Sequence, residues 1–107
     1  MEAAKRLAAP VVELHAGAYC EAYWEDPEGA ATQHELERLH KAAALAERLG
    51  IECHAGHGIS FETVKPVSMI ESLVELNIGH FLVGEAIFIG LEEAIRRMRR
   101  LMDEARA

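Results

Sequence analysis

The sequence His-Ala-Gly-His-Gly at residues 54–58, together with Asn-Ile-Gly-His at residues 77–80, decides how the rest of the chain is interpreted. Each motif follows a strand-like stretch and precedes helix-forming sequence. Each also joins a histidine to glycine, which allows a backbone to approach a ligand closely. A repeated order of strand, Gly/His turn and helix predicts a phosphate-handling site at one end of a parallel sheet.

Three strand-like segments accompany these motifs. Residues 11–15 follow Pro10 and read as a strand that Gly17 ends, and residues 51–54 form a short strand that leads into the first motif. Residues 75–78 predict the third strand, although the apolar run at 81–83 competes with them for that role.

Helical patterns separate the strands. Residues 2–9 read as the end of a helix, and residues 91–105 carry the clearest apolar stripe of the chain. Thr32 and Glu35 have the spacing of a capping box, which predicts a helix that continues to Leu49. Gly50 is well placed to end that helix in a left-handed conformation.

Two further segments complete the pattern. Pro66 is typical of the start of a short helix, here continuing to about Leu73, and residues 19–31 predict a loop with one local turn. Alternating helices and strands imply parallel strands joined by right-handed crossovers. The sequence therefore predicts an α/β fold in one domain.

Composition narrows the possible partners. The chain has 107 residues, 50% hydrophobic and 27% charged, with a net charge of −7. That charge argues against a nucleic-acid binder, which gains affinity from a basic face. No apolar run reaches the roughly 20 residues that cross a bilayer, and the N-terminus lacks a signal sequence. We therefore expect no nucleic-acid or membrane partner, a cytoplasmic location, and reduced thiols at Cys20 and Cys53.

Glu13 is an acidic residue inside an apolar strand. Strand periodicity places Val12 and Leu14 towards the helices, and Val11, Glu13 and His15 on the opposite face. An unpaired carboxylate is costly to bury. Glu13 therefore either forms a structural ion pair or reaches a polar site, and its position in the strand leaves both open.

His57 has a glycine on each side at the end of a strand. A histidine titrates near neutral pH and is suited to proton transfer. The simpler interpretation is a histidine that bonds to its own turn. Gly56, Gly58 and Gly79 can present backbone amides to a phosphate, helped by a helix that begins after His80.

A metal site is the less favoured interpretation of the same region. Cys53, His54, His57 and His80 include suitable ligand types. Adjacent residues of a strand point to opposite faces, however, so Cys53 and His54 cannot easily share one ion. We expect no metal.

Taken together, the chain resembles the C-terminal part of the pyridoxine 5′-phosphate synthase family. The resemblance covers nearly the whole chain and rests on four segments, namely residues 12–17 (Val-Glu-Leu-His-Ala-Gly), 55–58 (Ala-Gly-His-Gly), 75–80 (Glu-Leu-Asn-Ile-Gly-His) and 85–88 (Glu-Ala-Ile-Phe). Ala16, His54 and Glu85 depart from the residues expected in the family. The departures fall outside the main site positions.

The resemblance implies the C-terminal three β/α units of a TIM (β/α)8 barrel, with residues 81–88 as a short helix after the last strand. It implies condensation of 1-deoxy-D-xylulose 5-phosphate with 3-amino-2-oxopropyl phosphate to give pyridoxine 5′-phosphate, without a cofactor. His57 corresponds to a catalytic proton donor and Glu13 to the glutamate that stabilises a transition state. Gly58, Gly79 and His80 correspond to positions that bind the aminoketone phosphate.

Length qualifies this expectation. A barrel of this type needs roughly 250 residues, and this chain provides three of eight strands, so we expect residues 1–107 to be a partial domain that lacks the N-terminal strands. Activity of this chain alone is not expected. Two alternatives stay open: a self-associating, non-catalytic phosphate-binding module whose edge strands pair in a homo-oligomer, and a structural piece that acts only when complemented by the missing strands.

Overall fold

The computed structural model describes residues 1–107 and confirms the alternation of helices with three strands. The elements in chain order are α1 (Glu2–Arg6), β1 (Val11–His15), α2 (Gly17–Glu25), α3 (Ala30–Arg48), β2 (Glu52–Gly56), α4 (Val64–Ser68), β3 (Leu73–Asn77), α5 (His80–Ile89) and α6 (Leu91–Ala105). Helices follow each strand, as crossovers between parallel strands require.

The sheet is parallel throughout and has the order β1-β2-β3. Its register places Glu13 opposite His54 and His54 opposite Glu75, so three polar residues form a row across the strands. A bulge at the start of β3 leaves Val74 without a partner and puts Glu75 in this row. The register therefore places all three side chains on one face.

Helices cover the other face of the sheet. Val12 and Leu14 pack against a core that includes Cys53, Ala55 and Leu73, as the strand periodicity predicted. Helix α3 contributes Leu39, Ala43 and Ala46 to this core, and α6 contributes Met98. The core therefore lies between the sheet and its helices.

The opposite side, called the open face here, carries Val11, Glu13 and His15 of β1, Glu52, His54 and Gly56 of β2, and Glu75 and Asn77 of β3. His54 is held between two carboxylates on this face. Its Nε2 lies 2.7 Å from Oε2 of Glu52, and its Nδ1 lies 2.8 Å from Oε2 of Glu75. Cys53, by contrast, is buried in the core, so the two adjacent residues do point to opposite faces.

The predicted loop at residues 19–31 is wrong for its first half, because residues 17–25 form α2. Tyr19 and Cys20 are buried in the core, and the Tyr19 hydroxyl donates to the Thr63 carbonyl over 3.2 Å. This aromatic-rich segment has only a weak intrinsic preference for the helix, and burial of one helix face supplies the missing stabilisation. The turn that Pro27 and Gly29 predict follows the helix.

The capping box at Thr32 is also wrong, because α3 begins two residues earlier, at Ala30, with Gly29 as its N-cap. Thr32 is buried, and its hydroxyl donates to the Asp26 carbonyl over 2.6 Å. The hydroxyl thus fixes the preceding turn to the helix. The other end is confirmed, since Gly50 follows Leu49 with φ +71.

Three boundaries shift by a few residues. Strand β2 continues to Gly56, β3 begins at Leu73, and α4 is shorter than predicted, with Pro66 as its third residue. Residues 81–83 belong to α5, which confirms the helix that the resemblance implied there. None of the helices has the length and apolar character needed to cross a bilayer.

Arg106 fastens the end of α6 to the connection between α4 and β3. Its guanidinium donates to the carbonyls of Ser68 (2.7 Å), Ile70 (2.9 Å) and Leu73 (2.6 Å). Charge-assisted hydrogen bonds of this kind are the stronger ones. They hold the start of β3 and therefore the strand that ends at the Asn-Ile-Gly-His motif.

Candidate active site

One cleft of about 740 Å³ brings together the five residues that the sequence singled out. Glu13, His57, Gly58, Gly79 and His80 all line it. The remaining lining residues are Trp24, Ile59, Ser60, Asn77, Ile78 and Phe81. The cleft lies at the carboxyl ends of the strands, where parallel α/β proteins bind their ligands.

Glu13 reaches the cleft from the open face of β1. It takes part in none of the ion pairs of the structure, so the structural ion pair left open by the sequence is not formed within this chain. Its carboxylate lies over Gly56, where an added Cβ would collide with Oε1. The same Cβ would lie 2.8 Å from the Asn77 carbonyl oxygen. Glycine at position 56 therefore leaves the space that the carboxylate occupies.

His57 stands at the tip of the loop after β2 in an unusual backbone conformation. Its φ is +77 and that of Gly58 is +82, so two successive residues are left-handed. A residue with a Cβ is disfavoured in this region by about 1–2 kcal/mol. Contacts elsewhere must hold the loop, and such strain is typical of functional sites.

A buried cluster behind the loop provides part of that support. Thr63 Oγ1 accepts from the Ser60 amide over 2.8 Å, and the Cys20 thiol lies 3.8 Å from the same oxygen and 3.9 Å from the His57 carbonyl oxygen. Burial raises the pKa of the Cys20 thiol, so it stays protonated and able to donate. These contacts fix the His57 carbonyl and the backbone at Ser60 that follows it.

His15 gives the loop its second support. The rings of His15 and His57 are stacked, with centroids 4.1 Å apart and planes inclined by 28°. His15 is the last residue of β1 and pairs with Gly56. The simpler interpretation of His57, a hydrogen bond to its own turn, is wrong, because the hydrogen bonds of the structure include none from its ring.

The second motif forms the N-terminus of α5. Gly79 is the N-cap, and the first backbone bond of the helix runs from the Val83 amide to the Gly79 carbonyl over 3.0 Å. The amides of His80, Phe81 and Leu82 therefore have no partner within the helix. Unpaired amides at a helix N-terminus attract an anion.

Sequence reasoning missed several lining residues. Asn77 begins the second motif but was given no role, and Ser60, two residues after the first motif, was not singled out. Trp24, in the segment predicted as a loop, lies at the cleft with 61% of its surface exposed. The His, Cys, Asp and Glu side chains form no group of three arranged to hold a metal ion.

Comparison with known proteins gives one consistent family. Residues 1–104 match the family described as pyridoxal phosphate biosynthesis protein PdxJ. Among curated relatives, the chain is 57% identical over 107 residues to pyridoxine 5′-phosphate synthase of Ruegeria pomeroyi, covering 100% of this chain and 43% of that protein.

Two other relatives carry the same name. The chain is 55% identical over 105 residues to the protein of Rhodospirillum rubrum, covering 98% of this chain and 41% of the relative. It is 61% identical over 98 residues to the protein of Caulobacter vibrioides, covering 92% of this chain and 38% of that relative. The chain therefore spans about two fifths of the length of the curated relatives it matches.

Proposed function

The chain belongs to the PdxJ family of pyridoxal phosphate biosynthesis proteins, and we propose that it carries part of the active site of a pyridoxine 5′-phosphate synthase. The reaction condenses 1-deoxy-D-xylulose 5-phosphate with 3-amino-2-oxopropyl phosphate and releases phosphate and water. One observation carries the proposal: Glu13, His57, Gly58, Gly79 and His80 line a single cleft.

His57 acts as the proton donor in this proposal. Imine formation, dehydration and aromatisation all move protons, and a histidine can give and take them near neutral pH. Glu13 lies in the same cleft and has no counter-ion within this chain, which leaves its carboxylate available to stabilise positive charge that develops on the substrate nitrogen. Glu13 enters the cleft from β1 and His57 from the loop after the adjacent strand β2.

The phosphate group of the aminoketone binds at the turns. The amides of Gly58 and Gly79 and the unpaired amides at the start of α5 supply donors, and His80 adds a side chain. The volume of the cleft, about 740 Å³, suits a small phosphorylated substrate. No cofactor is part of the proposal.

The wider architecture follows from the sheet. We propose that β1, β2 and β3 are the last three strands of a (β/α)8 barrel, so that residues 1–107 form part of a larger domain. Helices cover one side of the sheet, and the polar open face corresponds to a barrel interior. A cytoplasmic location and a homo-oligomeric assembly belong to the same proposal.

Phosphate binding is tested by amide NMR of the chain during a titration with inorganic phosphate, with chloride at equal ionic strength as control. We expect concentration-dependent shifts at Gly58, Gly79 and His80. Shifts that are absent there, or equal under chloride, would refute the phosphate site.

Turnover is tested with both substrates in the chain co-expressed with an N-terminal segment of a related synthase, by the appearance of pyridoxine 5′-phosphate. His57→Gln should lower kcat by roughly 10²–10⁴-fold, the usual contribution of a general acid. His34→Gln is the matched control, because His34 is exposed on α3 and does not line the cleft. Equal loss in both variants would contradict the role of His57.

The free sheet edges favour a second candidate function. Both β1 and β3 have one side without a strand partner, and such edges pair readily with other chains. A self-associating phosphate-binding module would show concentration-dependent mass and phosphate binding without turnover. A piece that acts only when complemented would gain turnover on co-expression with an N-terminal segment of a related synthase.

A further inference from the structure

His15 is a residue outside the proposed set of site residues whose ring contacts one of them directly. Its imidazole is stacked on that of His57, with centroids 4.1 Å apart and an angle of 28° between the planes. We propose that His15 is a positioning residue, which fixes the orientation of the His57 ring in the cleft. The inference rests on the proposed function of His57 as proton donor.

The His15 ring is itself held in place. Its Nδ1 accepts a hydrogen bond from the Gly17 amide over 3.3 Å, so the ring carries a proton on Nε2. The turn is also tied to β2, because the Ala16 amide donates to the Gly56 carbonyl over 2.7 Å. A ring fixed by its own backbone turn can serve as a rigid surface for a neighbour.

Gly17 leaves room for both rings at once. A Cβ at this position would lie 2.6 Å from Cε1 of His15 and 3.0 Å from Cδ2 of His57. Both distances are shorter than, or at the limit of, normal contacts of a Cβ. The two imidazoles therefore pack against the backbone at residue 17 as well as against each other.

The orientation of the His57 ring depends on contacts with residues outside its own loop. Its backbone is left-handed, and the thiol of Cys20 contacts only its carbonyl oxygen. The ring has no hydrogen-bond partner in this structure, so the backbone contacts leave rotation about its side-chain bonds free. The stack with His15, together with the packing of both rings against residue 17, limits this rotation.

The test compares His15→Ala, which removes the stack, with His15→Phe, which keeps an aromatic face but loses the acceptor for the Gly17 amide. The readout is the pair of carbon-bound ring protons of His57, followed by NMR in the 107-residue chain. A stacked ring shields these protons. We expect His15→Ala to move both signals downfield, and His15→Phe to restore most of the shielding.

Turnover provides the second readout. Misplacing a catalytic group by about 1 Å lowers rates by up to about 10²-fold, so we expect His15→Ala to lower kcat by roughly tenfold. KM should stay within about twofold, because the phosphate contacts are unchanged. His15→Phe should recover most of the lost rate.

Several results would overturn the inference. One is a folded His15→Ala chain whose His57 ring signals match those of the wild type. A second is the absence of a cross-relaxation signal between the two rings in the wild type, which decides the matter even when His15→Ala does not fold. Should the wild-type chain show no turnover even when it is complemented by an N-terminal segment of a related synthase, the proposed function fails, whereas the ring signals of the chain still test the positioning of His57.

Discussion

Gly56→Ala tests how closely β2 packs against β3 and against the Glu13 carboxylate. The new methyl group would collide with Glu13 Oε1 and would lie 2.8 Å from the Asn77 carbonyl oxygen and 3.2 Å from the Asn77 Cβ. The carboxylate is the end of a flexible side chain and can turn away. The carbonyl belongs to the adjacent strand, so relief requires that β2 and β3 separate by a few tenths of an ångström.

The magnitude follows from two opposed effects. Overpacking of a tight site costs about 1–3 kcal/mol, whereas a Gly→Ala change lowers the entropy of the unfolded chain and returns about 0.4–1 kcal/mol. We therefore expect a net loss of roughly 1–2 kcal/mol in the free energy of unfolding. The carboxylate that turns away also leaves the cleft, so activity should fall together with stability.

The assay is urea unfolding followed by far-UV circular dichroism, with Gly84→Ala as the matched control. Gly84 lies inside α5, and an added Cβ would meet nothing within 4 Å. The control should gain about 0.5–1 kcal/mol, the usual benefit of alanine over glycine in a helix. A Gly56→Ala chain as stable as Gly84→Ala would refute the reasoning.

Three further predictions concern the support of the fold. Arg106→Gln should lower the free energy of unfolding by about 1.5–3 kcal/mol, since it removes charged donors from three carbonyls; a loss below 0.5 kcal/mol would show that water replaces them. Cys20 and Cys53 should resist a thiol reagent in the native chain and react fully in urea, because burial raises the pKa of both thiols; rapid native labelling would contradict this. Burial raises the pKa of Tyr19 to about 12 from 10.0, so its stabilising contribution is complete below pH 10 and is lost as pH rises towards 12. Tyr19→Phe should flatten the decline in stability across that window, and an unchanged slope would assign the decline to other groups.

The sequence predicted the regular elements that show a strong pattern. Alternation in β1 placed Val12 and Leu14 on the covered face, and the apolar stripe of residues 91–105 predicted α6. Helix α2 was not predicted, because tertiary contacts stabilise it and no local sequence pattern marks it. Tyr19 and Cys20 are buried by the segment around Thr63, which is 43 residues or more away in sequence.

The candidate site was predictable for a simple geometric reason. Parallel strands end at the same edge of a sheet, so the two Gly/His motifs were expected to meet there. For Glu13, in the middle of β1, the strand pattern left two possibilities open, and only the family resemblance implied a place in the site. The contact between His15 and His57 was not predictable in the same way. It depends on a left-handed residue with a Cβ and on the orientation of two rings, neither of which a sequence pattern encodes.

The loop after β2 links two parts of the site mechanically. His57 and Gly58 are both left-handed, and the planar peptide bond between them cannot twist. The His57 carbonyl and the Gly58 amide therefore move together as one rigid peptide plane. A phosphate that anchors the Gly58 amide would restrain the backbone from which the imidazole projects. Binding of an anion at the Gly58 amide and the position of the His57 Cα are then coupled through this one peptide plane, while His15 limits the rotation of the ring itself.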